Sequence, residues 1–311
     1  MQFYVTNLIP ENVNLMSNLA ILEILRPKQW YKNFLLFVPL VFSLNLFDAH
    51  SVLVSLLGFF ILCLSSSGSY VINDLMDFKR DSLHPEKAKR PIPSGRVSRR
   101  LAIPLSICLL AASEILSYQL GISFLITNSA LIVLTLIYSI HAKNIFLLDI
   151  FLISINYVLR AVSGAFALEI KISPWLIMGV FFLALLLALA KRKNEILFLK
   201  DNAVEHRKIL KEYSNDILNY SIGVTSATII LAYSIYSMTG PASVNDWRLV
   251  LTIPVAFFIM ILFIDKTYKG TYSGKELNNL LAKDKKLVGG VLFFIFFVIF
   301  LLYVAPPIYF K

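Results

Sequence analysis

The sequence predicts an all-α integral membrane protein, a bundle of nine transmembrane helices. Three observations carry this: an apolar composition, long continuous hydrophobic runs, and basic residues confined to alternate loops. The 311 residues are 58% hydrophobic and only 15% charged, with a mean hydropathy of +0.73. A soluble domain is about 45–50% apolar and about 25% charged, so a chain of this composition could not cover its own surface with polar groups. The same figures exclude a disordered chain, a disulfide scaffold and a soluble nucleic-acid binder, despite a net charge of +10. In a membrane protein, surplus Lys and Arg first report topology.

A spanning helix needs ~20 mostly apolar residues. The runs fall at 31–47, 51–72, 101–117, 122–140, 146–168, 174–190, 217–238, 248–264 and 287–305. The third and fourth form one apolar stretch, broken near Ser117–Gly121. Continuous rather than alternating hydrophobicity favours helices over a barrel. Residues 1–20 lack the basic start of a signal peptide and read as a polar leader, leaving 21–311 as the transmembrane domain. Cys63 and Cys108 lie inside apolar runs, where cysteine behaves as a small hydrophobe. No spacing of Cys or His marks a zinc or haem site.

Placing the N-terminus in the cytoplasm puts 25 of the 29 Lys and Arg on the inner side and three, Lys171, Arg248 and Lys311, on the outer; Arg160 lies within the fifth span. This asymmetry predicts a multi-pass protein of the cell membrane with an odd number of crossings. The two long inner loops, 73–100 and 191–216, each follow an even-numbered span and hint at an internal duplication.

Loop 73–100 carries the chemistry. Asp74, Asp77 and Asp81 are spaced i, i+3, i+7, which on a helix places three carboxylates on one face; Asn73, Asp77 and Asp81 form an equally compact set. Like charges at a helix end repel unless a hard cation sits among them, and Mg²⁺ takes one or two carboxylates while bridging substrate phosphates. Lys79, Arg80, His84, Lys87, Lys89, Arg90 and Arg96 follow. Arg holds phosphate oxygens bidentately and Lys acts as a point charge. Pro85, Pro91, Pro93 and Gly95 predict an ordered loop rather than a helix. Within the fifth span, Asn156 and Asp149 can share a face with Arg160, which makes Arg160 either a cationic wall of a phosphate pocket or a polar pair holding helices together. Glu114 reads as interfacial. Trp30, Trp175 and Trp247 sit near span ends, as aromatic-belt residues do.

N-D-x-x-D-x-x-x-D followed by R-P-x-x-x-G, after a second transmembrane run, resembles the first signature of the UbiA superfamily of intramembrane prenyltransferases. The resemblance implies a nine-helix bundle that binds a diphosphate through Mg²⁺. It assigns Asn73, Asp74, Asp77 and Asp81 as metal ligands, the three aspartates as catalytic, and Arg90 as a phosphate contact. Where such enzymes carry a second D-x-x-x-D, this chain has Lys191-Arg192-Lys193-Asn194-Glu195, with Asp201 and Glu205 beyond. That segment, together with R-P-K-Q-W-x-K-N (Arg26 to Asn33) and H-P-x-K-x-x-R-P (His84 to Pro91), is similar to the decaprenyl-phosphate phosphoribosyltransferase branch.

The branch implies transfer of 5-phosphoribose from phosphoribosyl diphosphate to a polyprenyl phosphate, with Mg²⁺ and release of diphosphate. Lys28, Asn73, Lys87, Arg90, Tyr138, Lys143, Arg160, Lys191, Arg192 and Glu195 then become the expected substrate-binding residues. More phosphate requires more cation, and a basic segment in place of an acidic one moves the balance that way. Two alternatives stand beside this reading. One is transfer of a prenyl group from prenyl diphosphate to an aromatic or glycerol-phosphate acceptor. The other is transport of an anionic lipid, which would more often show span-interrupting Gly and Pro at the midplane.

Overall fold

In the computed structural model, the residues described are 18–83, 87–199, 208–239, 246–270, 284–306 and 308. His84, Pro85, Asp201, Glu205, His206 and Lys311, and most of the expected leader, lie outside them. Among the described residues, eight helices are long and apolar enough to cross a membrane. In chain order the α-helices are α1 (Asn18–Leu25), α2 (Val38–Phe42), α3 (Ala49–Met76), α4 (Phe78–Ser82), α5 (Arg99–Gln119), α6 (Ile122–Ile140), α7 (Leu148–Ala167), α8 (Pro174–Leu199), α9 (Asn215–Thr239), α10 (Ile253–Tyr268) and α11 (Lys285–Tyr303).

The expected first span is not a continuous α-helix. It is a 3-10 helix, Pro27–Phe37, continued by the short α2. A 3-10 helix rises about 2.0 Å per residue against 1.5 Å for an α-helix. Eleven residues of one and five of the other therefore reach roughly 29 Å, about the thickness of the hydrocarbon core. This segment thus reaches the length of a crossing with fewer residues than an α-helix needs. It is wedged against α7 at Gly164, where a Cβ would lie 2.0 Å from the Leu36 carbonyl oxygen. Only glycine permits that approach.

The break expected near 117–121 occurs at Gly121, whose φ of 100° ends α5 and turns the chain into α6. Asp48 starts α3 by accepting from the Ser51 amide at 2.8 Å, and Asp284 starts α11 by accepting from the amides of Lys286 and Leu287. Both satisfy otherwise orphaned first-turn donors.

The buried interior has several apolar knots. Ile150, Leu186, Leu218, Ile222, Phe263 and Leu287 join α7 to α11. Leu36, Ile61, Leu62, Phe124 and Leu131 close the other half. Ala20, Ile24, Val71, Ile92, Val97 and Ala102 dock α1 and the loop after α4 onto the end of α3, so the loop is anchored where its charges are needed. Ile107, Ile115, Ile126, Phe257, Phe258, Phe293 and Phe296 are exposed, the lipid-facing surface that a spanning bundle requires. Cys63 is buried and Cys108 exposed among them.

Candidate active site where α3 and α8 end

The α-helix that carries the aspartates stops at Met76; Asp77 is its C-cap, and α4 restarts at Phe78. This break corrects the expectation that the three carboxylates share one helical face. Asp74 and Asp81 face Arg90, which donates from Nη1 to Asp74 Oδ1 at 3.1 Å and to Asp81 Oδ2 at 2.7 Å. Arg26 donates to Asp74 Oδ1 at 2.5 Å. Asp77 instead meets Lys143 Nζ at 3.0 Å and Arg80 at 2.9 Å. Arg26 holds left-handed backbone angles, φ 52° and ψ 55°, a conformation that costs a non-glycine residue energy and here aims its guanidinium at the aspartate. Arg96 ties α1 to the loop through two bonds to Glu23, at 2.6 and 3.0 Å, and one to the Lys89 carbonyl. That hydrogen bonding holds the Arg96 guanidinium above its ordinary pKa.

Five cations thus interleave with three carboxylates. Among the described residues, no three metal-ligating side chains converge on one point in this arrangement; the cations hold the carboxylates apart. One feature nevertheless fits a divalent ion. Asp81 is fully buried, and its Oδ1 has no hydrogen-bond partner, with Lys87 Nζ standing 3.6 Å away. A buried carboxylate oxygen left open is costly, and hard oxygen donors are what Mg²⁺ takes. Asn73 is half-buried beside them, its carbonyl accepting from the Asp77 amide at 3.0 Å.

A second polar cluster lies where α7 begins and α8 ends. Arg192 is 2% exposed and its guanidinium is shared by two carboxylates, donating from Nε to Asp149 Oδ2 at 3.0 Å and from Nη1 to Glu195 Oε2 at 2.6 Å. Tyr213 donates to the other Asp149 oxygen at 2.7 Å and accepts from the Leu147 amide at 3.3 Å. Burial, followed by the Asp149 carboxylate, pushes the Tyr213 phenol well above its ordinary pKa. Lys191 pairs with Glu195 at 4.0 Å, and Tyr138 lies within electrostatic reach of Arg192. In this arrangement the Arg192 guanidinium, expected to meet a substrate phosphate, is paired on two sides by carboxylates of the fold. Lys193 is also turned inward, donating to Asn219 at 2.5 Å and lying 3.3 Å from the Tyr268 ring centroid.

Arg160 is buried in the middle of α7. It donates from Nε to Asn33 Oδ1 at 2.9 Å and from Nη1 to the Asn156 carbonyl at 2.9 Å, with a further bond to the Asn156 carboxamide. Asn156 is the partner the sequence indicated; Asp149 is not, since it turns to Arg192. Lys28 is exposed on the 3-10 helix, outside both clusters. Glu114 accepts from Asn128 and Ser129 on α6, which makes it an interhelical link.

A family profile described as the UbiA prenyltransferase family matches residues 34–280. The chain belongs to the UbiA prenyltransferase family. It is 30% identical over 287 residues to a decaprenyl-phosphate phosphoribosyltransferase of Mycolicibacterium smegmatis, covering 88% of this chain and 89% of that protein. A protein of the same description from Corynebacterium glutamicum is 28% identical over 305 residues, covering 93% and 89%. Among solved structures, a UbiA homologue from Archaeoglobus fulgidus bound to GPP and Mg²⁺ superposes with a TM-score of 0.68 at 17% identity, covering 92% of this chain and 100% of that one. At that identity the likeness concerns the fold. This UbiA member is a multi-pass membrane transferase.

Within this UbiA fold, two residues joined the clusters without being singled out in the sequence. Tyr213 follows a stretch with no motif, and its pairing with Asp149 bridges 64 positions. Asn33 was visible only as the last letter of R-P-K-Q-W-x-K-N; nothing in its spacing pointed to Arg160, which is 127 positions away.

Proposed function

We propose that this UbiA member moves 5-phosphoribose from phosphoribosyl diphosphate to a polyprenyl phosphate and releases diphosphate. The observation that carries the reading is the surplus of cation over carboxylate at the end of α3: Arg26, Arg80, Lys87, Arg90 and Lys143 within 4 Å of Asp74, Asp77 and Asp81. The relatives named as decaprenyl-phosphate phosphoribosyltransferases support it. Asn73, Asp74, Asp77 and Asp81 would hold Mg²⁺, which supplies positive charge to a departing diphosphate.

Arg90 and Arg26 supply planar, charge-assisted donors to diphosphate oxygens, while Lys87 and Lys143 supply point charges. A phosphate monoester is already largely ionised near neutral pH, so the attacking lipid phosphate requires no strong base. Its oxygen forms a bond to C1 of the ribose as the C1–O bond to diphosphate breaks, and the donors around the carboxylates stabilise the charge that leaves. Lys191 and Glu195 belong to the neighbouring wall with Tyr138; Arg192 positions that wall.

The reading places the N-terminus and loops 73–100 and 191–216 in the cytoplasm of a cell with this protein in its plasma membrane, with 1–20 a leader and 21–311 one transmembrane domain. Incubation of the purified protein with Mg²⁺, polyprenyl phosphate and labelled phosphoribosyl diphosphate is expected to move label into the lipid phase. Label that stays in water, together with turnover of a prenyl diphosphate, would transfer the assignment to prenyl transfer.

A further inference from the structure

Tyr70 stands near the inner end of α3, ringed by cations. Arg26 lies 5.1 Å and Lys32 5.9 Å from its ring centroid, and Lys32 Nζ is 3.4 Å from its hydroxyl. Behind it is Arg160, whose guanidinium lies 5.7 Å from the Tyr157 ring centroid and within electrostatic reach of Tyr31 and Tyr70. Arg26 is matched by Asp74. Among the described residues, neither Lys32 nor Arg160 has a carboxylate within salt-bridge distance; Arg160 is held only by the carboxamides of Asn33 and Asn156 and a backbone carbonyl.

Two positive charges, one of them buried in the bundle, therefore face three phenol rings with no anion between them. A buried unpaired charge is expensive, and proteins tolerate it where a partner of opposite sign arrives. The fold also maintains the arrangement: the approach of the 3-10 helix to Gly164 presses Asn33 onto the Arg160 Nε. The cluster reaches the surface: Tyr31 is exposed and Lys32 and Tyr70 are half-buried. Tyr70 is six residues before the end of α3 and Arg160 twelve after the start of α7, so the pocket lies roughly 9–18 Å inward of the helix ends.

We propose that Lys32, Tyr70, Tyr157 and Arg160 form a second anion subsite, which binds a phosphate monoester separately from the diphosphate at Asp74, Asp77 and Asp81. A monoester carries about −1.5 to −2 charge near neutral pH, which matches two cations. Phenol hydroxyls and guanidinium N–H groups donate to its oxygens. Arg26 touches both sites, placing the two phosphate groups side by side. The ligand chemistry has two sources, the 5-phosphate of the sugar donor or the phosphate of the lipid acceptor. Only this choice of sources rests on the phosphoribosyl-transfer reading; the site itself does not.

The test is calorimetric titration of the purified full chain in detergent with ribose 5-phosphate and with farnesyl phosphate, each in chelator. Inorganic diphosphate with Mg²⁺ serves as the probe of the carboxylate site. Wild type is expected to bind at least one monoester. Arg160→Gln and Lys32→Gln should weaken that binding tenfold or more, the size of a lost charge-assisted bond, while diphosphate binding changes less than about threefold. Loss confined to ribose 5-phosphate assigns the subsite to the donor, and loss confined to farnesyl phosphate assigns it to the lipid. Should Arg160→Gln not fold, Lys32→Gln and Tyr157→Phe carry the test. The subsite is overturned if wild type binds neither monoester, if the variants bind them as wild type does, or if diphosphate binding falls in parallel. Monoester binding without any phosphoribosyl transfer would leave the subsite standing and remove the transfer reading.

Discussion

The ends of α3 and α8 hold the same ingredients in opposite states. At α3, buried Asp74 and Asp81 meet part-exposed guanidinium groups: Arg90 is 31% exposed and Arg26 23%, and an oxygen of Asp81 has no hydrogen bond. At α8, Arg192 is sealed between Asp149 and Glu195, with Tyr213 completing the carboxylate's bonds. Among the described residues, cations outnumber carboxylates at α3, whereas Arg192 is shared between two carboxylates. Charged residues of like type at matching ends of two long helices thus differ in the exposure of their cations, part-exposed at α3 and buried at α8.

The comparison breaks most visibly at Arg192. Removing one partner of a buried pair leaves the other charge uncompensated, a loss of about 3–5 kcal/mol. Arg192→Met should lower thermal stability in detergent by that amount, measured by unfolding, whereas retained stability accompanied by weaker phosphoribosyl diphosphate binding would make Arg192 a ligand after all. The next effect is in activity. Asp77→Asn, at the end of a helix and outside the apolar interior, should reduce turnover by about 100-fold or more, close to 2.7 kcal/mol, with little change in the unfolding temperature; chelator should abolish turnover and Mg²⁺ restore it. Full turnover in excess chelator would sink the metal assignment.

Tyr213 sharpens the contrast at lower amplitude. Tyr213→Phe removes a hydrogen bond to a carboxylate and should cost about 1.5–3 kcal/mol. Its phenol is pushed upward in the folded state, so its contribution is complete below the unfolded value near 10 and declines as pH rises above it. Unfolding profiles of wild type and Tyr213→Phe should therefore converge above about pH 10; parallel profiles would contradict the buried pairing. Glu23→Gln is the smallest change. The Glu23–Arg96 pair is nearly half exposed on both sides, and solvent screening limits such a pair to about 0.2–1 kcal/mol. Its effect should show as a shift in unfolding midpoint that shrinks further in high salt.

The resemblance carried by N-D-x-x-D and R-P-x-x-x-G identified the family because its residues are close in sequence and their chemistry is local. The same loop also hid its geometry: the face shared by Asp74, Asp77 and Asp81 assumes an unbroken helix, and α3 ends one residue before Asp77. The charges of Lys191 to Glu195 are visible in the sequence, whereas the pairing of Arg192 with Asp149, and of Asp149 with Tyr213, is not.

Composition, hydrophobic run length and the placement of Lys and Arg determined by themselves that the chain is a helical membrane bundle, because the bilayer admits few solutions and each is written in local sequence. Tertiary structure decided the rest. Whether the first crossing is an α-helix depends on how closely Gly164 lets a 3-10 segment approach. Whether Arg192 or Arg160 meets a carboxylate depends on Asp149, which α7 turns toward one and away from the other. These outcomes follow from contacts between residues tens to more than a hundred positions apart, and a one-dimensional pattern does not encode which of two buried cations a single carboxylate will face.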